Sequence, residues 1–276
     1  MLRGILIGLD GSPSSCAAVD LGIRWARCFK ALLVGLGVVD RPGICRPEPT
    51  GIAGSTYKLH RDAHLLADAR RQVEEFLKQF AARCAIGVRW KTVQTEGHPH
   101  EQIVLEGERF DLILLGQHPR FHFETQERDT DTIRKVVKNS PHPVVIVPEK
   151  LPSGDGIIVA YDGCPAAARA LQAFVASGLG QGKEVRVVSV QSKRPVAERQ
   201  VERAVDYLHL HEIAARPHPI VTRANPAQVL LDEARPTEVG FLVMGAYRRS
   251  RLHEFLRGST TRTMLRDSLV SLFLCH

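Results

Sequence analysis

No apolar run in this 276-residue chain approaches the roughly 18–20 residues that cross a bilayer. The opening segment, MLRGILIGLDGS, holds only a short run broken by glycine and aspartate. Neither membrane insertion nor export is expected, and a cytoplasmic location is. The six cysteines (Cys16, Cys28, Cys45, Cys84, Cys164, Cys275) include no Cys-x-x-Cys pair. They read as reduced, small core residues and not as a disulfide framework or metal clasp. A concentrated charge of one sign is also missing. The net charge is +7, with 21 basic and 18 acidic residues in 1–150 and 16 and 12 in 151–276. So even a spread describes a solvated surface, and no nucleic-acid partner is expected. Paired catalytic carboxylates, a nucleophile elbow and a Ser-His-Asp order are absent too, so nothing argues for hydrolytic chemistry. His98, His100, His118 and His122 come from different loops without ligand spacing, and they read as solvated loop histidines; no metal is expected.

What is present is a duplication. With 44% hydrophobic and 24% charged residues the chain is an ordinary globular one, long enough for two domains of about 100–150 residues. Residues 4–13, GILIGLDGSP, match residues 156–165, GIIVAYDGCP. Three further pairs keep the same order: Gly97-His98-Pro99-His100 with Ala224-Asn225-Pro226-Ala227, the run 110–116 with 239–245, and Val144–Val147 with Leu272–Cys275. Two domains are therefore expected, 1–150 and 151–276. From Asp10 to Pro99 the first copy spends 89 residues, whereas the second spends 64 from Asp162 to Pro226. The difference places an insertion around 41–60, whose proline and glycine content predicts a surface excursion that either covers a pocket or decorates the surface.

Within each copy short apolar runs alternate with helical patterns, the mark of a parallel sheet covered on both faces by crossover helices. Strands are expected near 3–9, 32–39, 87–94, 111–116 and 143–148, then 156–161, 184–190, 218–222, 239–245 and 270–275. Helices are expected near 13–29, 61–84, 99–109 and 131–139, then 165–178, 195–214, 226–235 and 259–267. Right-handed crossovers make each copy a doubly wound, Rossmann-like α/β domain of five parallel strands, with ligands taken beyond the strand carboxyl ends. The final strands, VVIVP and LFLC, are expected at sheet edges, where they can pair between copies.

Asp10 and Asp162 close the first strand of each copy and lead into Gly11-Ser12-Pro13 and Gly163-Cys164-Pro165. Such a carboxylate suits a ribose hydroxyl or an adenine edge, and it suits equally a helix cap with proline in the first turn; both readings stay open. After Gly245 the second copy continues AYRRSRLHEFLRGSTTRTMLRD. There Gly258-Ser259-Thr260 opens a helix, with Arg248, Arg249, Arg251 and Arg257 alongside. Helix-start N–H groups, hydroxyls and guanidinium donors form an anion site, or else caps beside a solvated basic face. Gly178-Leu179-Gly180-Gln181-Gly182-Lys183 precedes a strand and is a helix-to-strand connection, on the wrong edge for phosphate.

These paired units, the strand-Asp-Gly-Ser turn and the Gly-x2-Gly-x9-Gly-Ser pattern resemble the universal stress protein family in its tandem form. The resemblance covers nearly the whole chain. It implies a two-domain fold of the adenine nucleotide alpha hydrolase type, in which ATP-binding members use the first-strand aspartate for the nucleoside and the glycine loop for phosphates. Carried onto this chain, it points to Asp162, Gly245, Gly258, Ser259 and Thr260, with Arg248 where the second glycine stands. The first copy keeps Asp10, Gly11, Ser12 and Gly116, but it has Pro119 at the second glycine and Asp129-Thr130-Asp131-Thr132 in place of Gly-Ser. Two carboxylates there repel a triphosphate, so the first copy is expected not to hold ATP.

The expectation is a cytosolic stress-response or signalling module with an adenine nucleotide, ATP or another, in the second copy. The alternative is an interaction scaffold of the same fold with no cofactor. Slow ATP hydrolysis is a third reading. Protein partners are expected, and the chain is read as a pseudo-dimer that can dimerise again.

Overall fold

The computed structural model describes residues 1–48, 52–84, 87–122, 129–246 and 259–276, without the side chains of 52–54, 129–131 and 259. It is an α/β structure with a mostly parallel sheet, and it divides into two compact units, Arg3–Val136 and Val137–His276, the latter joined by Met1–Leu2.

In the unit Arg3–Val136, β1 (Gly4–Leu9), α1 (Pro13–Phe29), β2 (Leu32–Val39), α2 (Arg41–Ile44), α3 (Ile52–Cys84), β3 (Arg89–Glu96), α4 (Pro99–Gly107) and β4 (Leu112–Gly116) precede α5 (Asp129–Asn139). The strands run parallel in the order β3-β2-β1-β4. The apolar runs Ile5-Leu6-Ile7, Leu33 to Val39 and Leu112 to Leu115 form the core because both faces of those strands are covered. Helix α1 begins where Ser12 Oγ accepts from Ser15 N at 3.1 Å with Pro13 in its first turn, and it ends at Lys30 in the left-handed region (φ 53°).

In the unit Val137–His276, β5 (Val144–Val147) is followed by β6 (Gly156–Ala160), α6 (Pro165–Ser177), β7 (Val185–Gln191), α7 (Arg194–Leu210), β8 (Ala215–Val221), α8 (Pro226–Glu233), β9 (Val239–Gly245), α9 (Ser259–Asp267) and β10 (Ser271–Cys275). Its strand order is β8-β7-β6-β9-β10-β5. Five of these strands are the second repeat in the order the first repeat shows for its own; the sixth is β5, antiparallel to β10. The final strands of the two copies pair with each other, as expected, so that β10 lies between β9 and β5. The repeat extends to small devices. Ser140 Oγ donates to His142 O and accepts from His142 N, and Ser268 does the same with Val270.

Three expectations change. The 41–60 segment lies at the surface as expected but is helical where described: Arg41–Ile44 is a short helix and Ile52 onward is the start of α3, a 33-residue helix. An apolar cluster of Val39, Ile44, Ala69 and Val73, flanked by Cys45, Leu65, Leu66 and Leu77, holds it down. Residues 55–60 of that helix are mostly exposed, so its packing against the core comes from the turns that follow. The terminal strands β3 and β8 are largely exposed, so only the inner strands are covered on both faces. Cys28 is exposed, whereas Cys84 is buried and its thiol is pushed up to about 11 by that burial. Among the described residues no helix is long and apolar enough to cross a membrane.

Candidate functional site

In an order 3-2-1-4 the winding reverses between the first and fourth strands, so a crevice opens beyond their carboxyl ends. In the first repeat those ends are Asp10 and Gly116. Asp10 is 5% exposed. Its Oδ1 accepts from Ser12 N at 2.8 Å, and its Oδ2 accepts from Arg120 N at 2.8 Å. Ser14 Oγ accepts from His118 N at 3.2 Å. The segment after β4 is therefore tied across the crevice to the end of β1. Two glycines make the approach possible. Gly11 has φ +71°, and a Cβ there would lie 2.3 Å from Phe76 of α3. At Gly116 it would lie 2.4 Å from Ser14 Oγ and 2.7 Å from Ser15 N.

Behind this strap lies a chain that loop reasoning missed. His122 is 3% exposed, not solvated. Its Nδ1 lies 2.7 Å from Asp40 Oδ2, and its Nε2 lies 2.7 Å from Thr132 Oγ1. Asp40, at 0% exposure, also caps α2, its Oδ1 accepting from Gly43 N at 3.0 Å. Phe121 packs at the end of β1, where a Cβ on Gly8 would meet its ring at 2.9 Å. Carboxylate, imidazole and hydroxyl follow in the order of a nucleophilic relay. Thr132 is only 2% exposed, so the hydroxyl is presented to packing and not to a substrate. The chain is a strut joining the inserted helix, the loop and α5. Of its members only Asp40 left a sequence signal, as a cap ahead of Arg41-Pro42-Gly43. The strap and the strut thus cross the carboxyl ends of β1 and β2 in the first repeat.

The second repeat is built alike up to the turn. Asp162 is half-buried and its Oδ1 accepts from Cys164 N at 3.0 Å. Gly163 has φ +76°. Cys164 Sγ replaces the serine cap, accepting from Ala167 N at 3.4 Å. Burial, reinforced by the Asp162 carboxylate, pushes that thiol above its ordinary range. Gly245 lies against the start of α6, where a Cβ would sit 2.5 Å from Ala166 C and Ala167 N. Its flank differs. Gln200 of α7 stands where Phe76 stands in the first repeat, donating from Nε2 to Asp162 O at 2.7 Å and accepting from Ser189 Oγ at 2.6 Å. The turn is thus lined by an amide instead of a benzene ring.

Of the sequence-predicted residues, the fold brings Asp162 and Gly245 to one crevice as it brings Asp10, Gly11, Ser12 and Gly116 to the other. Arg248 and Gly258 lie outside the described residues, as does the Ser259 side chain; Thr260 is half-buried in the first turn of α9. Among the described residues no group of His, Cys, Asp and Glu has the arrangement of a metal site.

A curated universal stress protein of Synechocystis sp. is 25% identical over 163 residues, which is 58% of this chain and 56%, about half, of that protein. The crystal structure of a universal stress protein from Archaeoglobus fulgidus superposes with a TM-score of 0.73 at 18% identity, covering 99% of this chain and 96% of that one. A functionally unknown protein from Pseudomonas aeruginosa gives 0.58 at 18% identity, covering 99% and 92%. The sequence pattern of the universal stress protein family matches residues 1–148 and again 155–276. Two matched halves with a common strand order and the same Asp-Gly turn at each switch point lead to one conclusion: the chain belongs to the universal stress protein family.

Proposed function

We propose that the chain is a stress-response signalling module that takes an adenine nucleotide, ATP or a relative, at the carboxyl edge of its second repeat. The site comprises Asp162, Gly245, Arg248, Gly258, Ser259 and Thr260. The observation that carries this reading is the inequality of the two crevices. The first is strapped by Arg120 on Asp10, with Phe121 and His122 buried behind the strap. The second has a half-buried aspartate beside an amide-lined turn and, in sequence, Gly258-Ser259-Thr260 among arginines. The proposal assigns binding, not turnover, and the compartment is the cytoplasm.

Thermal unfolding tests it. ATP at a hundred times its Kd stabilises by about 2.7 kcal/mol. Asp162→Ala and Ser259→Ala should abolish that rise, while Asp10→Ala should lower the melting temperature and leave the rise intact. No shift with saturating ATP sinks this reading. It would leave the second one, a protein-interaction scaffold, favoured by Arg248 standing where the family pattern has glycine.

A further inference from the structure

Among the described residues two strands have a neighbour on one side only, β3 and β8. They are equivalent strands of the two repeats, yet their outer edges differ. Thr222 N donates to Gln191 O at 2.9 Å, so along β8 the even-numbered residues turn their N–H groups toward β7 and the odd-numbered ones face outward. Pro217 and Pro219 therefore fall on the outer side, where they remove donors and blunt the edge. On β3, Gly97 N donates to Val39 O at 3.1 Å, so the odd-numbered residues face β2 and Trp90, Thr92, Gln94 and Glu96 face outward. None of these is proline, all four are exposed, and Trp90 keeps 38% of its surface accessible.

We infer that β3 is a self-association edge, on which a second copy of this chain adds its own β3 antiparallel across a two-fold axis at Val93. Three features fix that occupant. First, a two-fold at residue 93 maps the outward set 90, 92, 94, 96 onto itself, so every open N–H and C=O finds a partner in about eight inter-strand bonds, two per hydrogen-bonded pair. Second, the strand reads Arg-Trp-Lys-Thr-Val-Gln-Thr-Glu, basic at its start and acidic at its end. An antiparallel pair sets the basic start of one copy's strand against the acidic end of the other's, whereas a parallel pair would align like ends; Arg89 and Lys91 stand on the sheet face opposite Glu96, so the match is one of strand ends and not of facing side chains. Arg70, hydrogen-bonded at 2.7 Å, holds the Glu96 carboxyl below the usual range and so keeps it charged. Third, Trp90 meets Glu96 of the other copy and buries its exposed ring, which its edge-on contact with Phe80 leaves half covered.

Light scattering on the full chain, from micromolar concentration upward, should give a mass of two chains. Thr92→Pro removes one outward N–H and leaves the ladder to β2 whole; it should give one chain with an unchanged circular dichroism spectrum. Thr92→Ala should stay paired. Val93→Cys places two thiols at a non-hydrogen-bonded site with Cα atoms about 4.5 Å apart. In a Cys28→Ser background, which removes the exposed native thiol, mild oxidation should then cross-link this variant and not the chain that keeps Val93, a readout that stands even where the proline variant misfolds. A one-chain mass for the parent overturns the inference. So does a folded, still paired Thr92→Pro, and so does a Val93→Cys variant that fails to cross-link.

Discussion

His122 is held between a carboxylate 82 residues before it and a hydroxyl 10 residues after it. Truncation to alanine strips the buried Asp40 Oδ2 and Thr132 Oγ1 of the imidazole and opens a cavity. Losing a partner to a buried charged group typically costs about 2–4 kcal/mol. Urea unfolding of His122→Ala should show that loss, and free imidazole should restore part of it in His122→Gly; a loss under half a kcal/mol contradicts the strut. The Asp10-Gly11-Ser12 turn was legible in the sequence because its chemistry is local: a cap, a positive φ and a proline within four positions. Both roles left open for Asp10 meet here in a third, since its second oxygen holds the Arg120 amide. His122 was not legible, for nothing adjacent distinguishes it from His118, which is exposed.

At the scale of elements, α3 shows where ion pairing overrides composition. Its C-terminal turns were readable from periodicity, but the turns from Ile52 to His60 sit in a stretch rich in turn-forming residues. They are tied down by ions. Burial pulls the Asp62 carboxyl upward, yet hydrogen bonds from Lys58 and Arg61 outweigh it and hold it below the ordinary value of 3.8. Arg61 also reaches Glu48 at 3.0 Å. With the folded pKa depressed, the unfolded chain takes up its proton first. The stabilisation is full above about pH 4 and is lost as the pH falls through the lowered value. Hydrogen exchange over 52–66 should accelerate on acidification in the parent chain, and much less in Asp62→Asn, which is already weakened at neutral pH; equal acceleration in both removes the role given to Asp62.

For the whole molecule, the duplication and the strand order were readable because four matched segments recur in one order and right-handed crossovers leave few topologies. The pairing of the two final strands was readable as well, but its sense was not, since Val144-Val145-Ile146-Val147 pairs as well antiparallel as parallel. The structure gives β5 an antiparallel partner in β10. A fragment of residues 1–148 keeps β5 and lacks β10, so a fully apolar strand edge is left open. Carrying Thr92→Pro to silence β3, that fragment should still self-associate in light scattering, while the full-length Thr92→Pro chain does not; a monomeric fragment would show that β5 needs no such partner.

The same pairing sets a clock on biosynthesis. The segment Val144–Val147 leaves the ribosome roughly 120 residues before Ser271–Cys275, an interval on the order of ten seconds at about 5–20 residues per second. Through that interval the nascent chain carries β5 with the edge that β10 later takes still open. Translation speed across the second half therefore sets how long that apolar edge stays exposed.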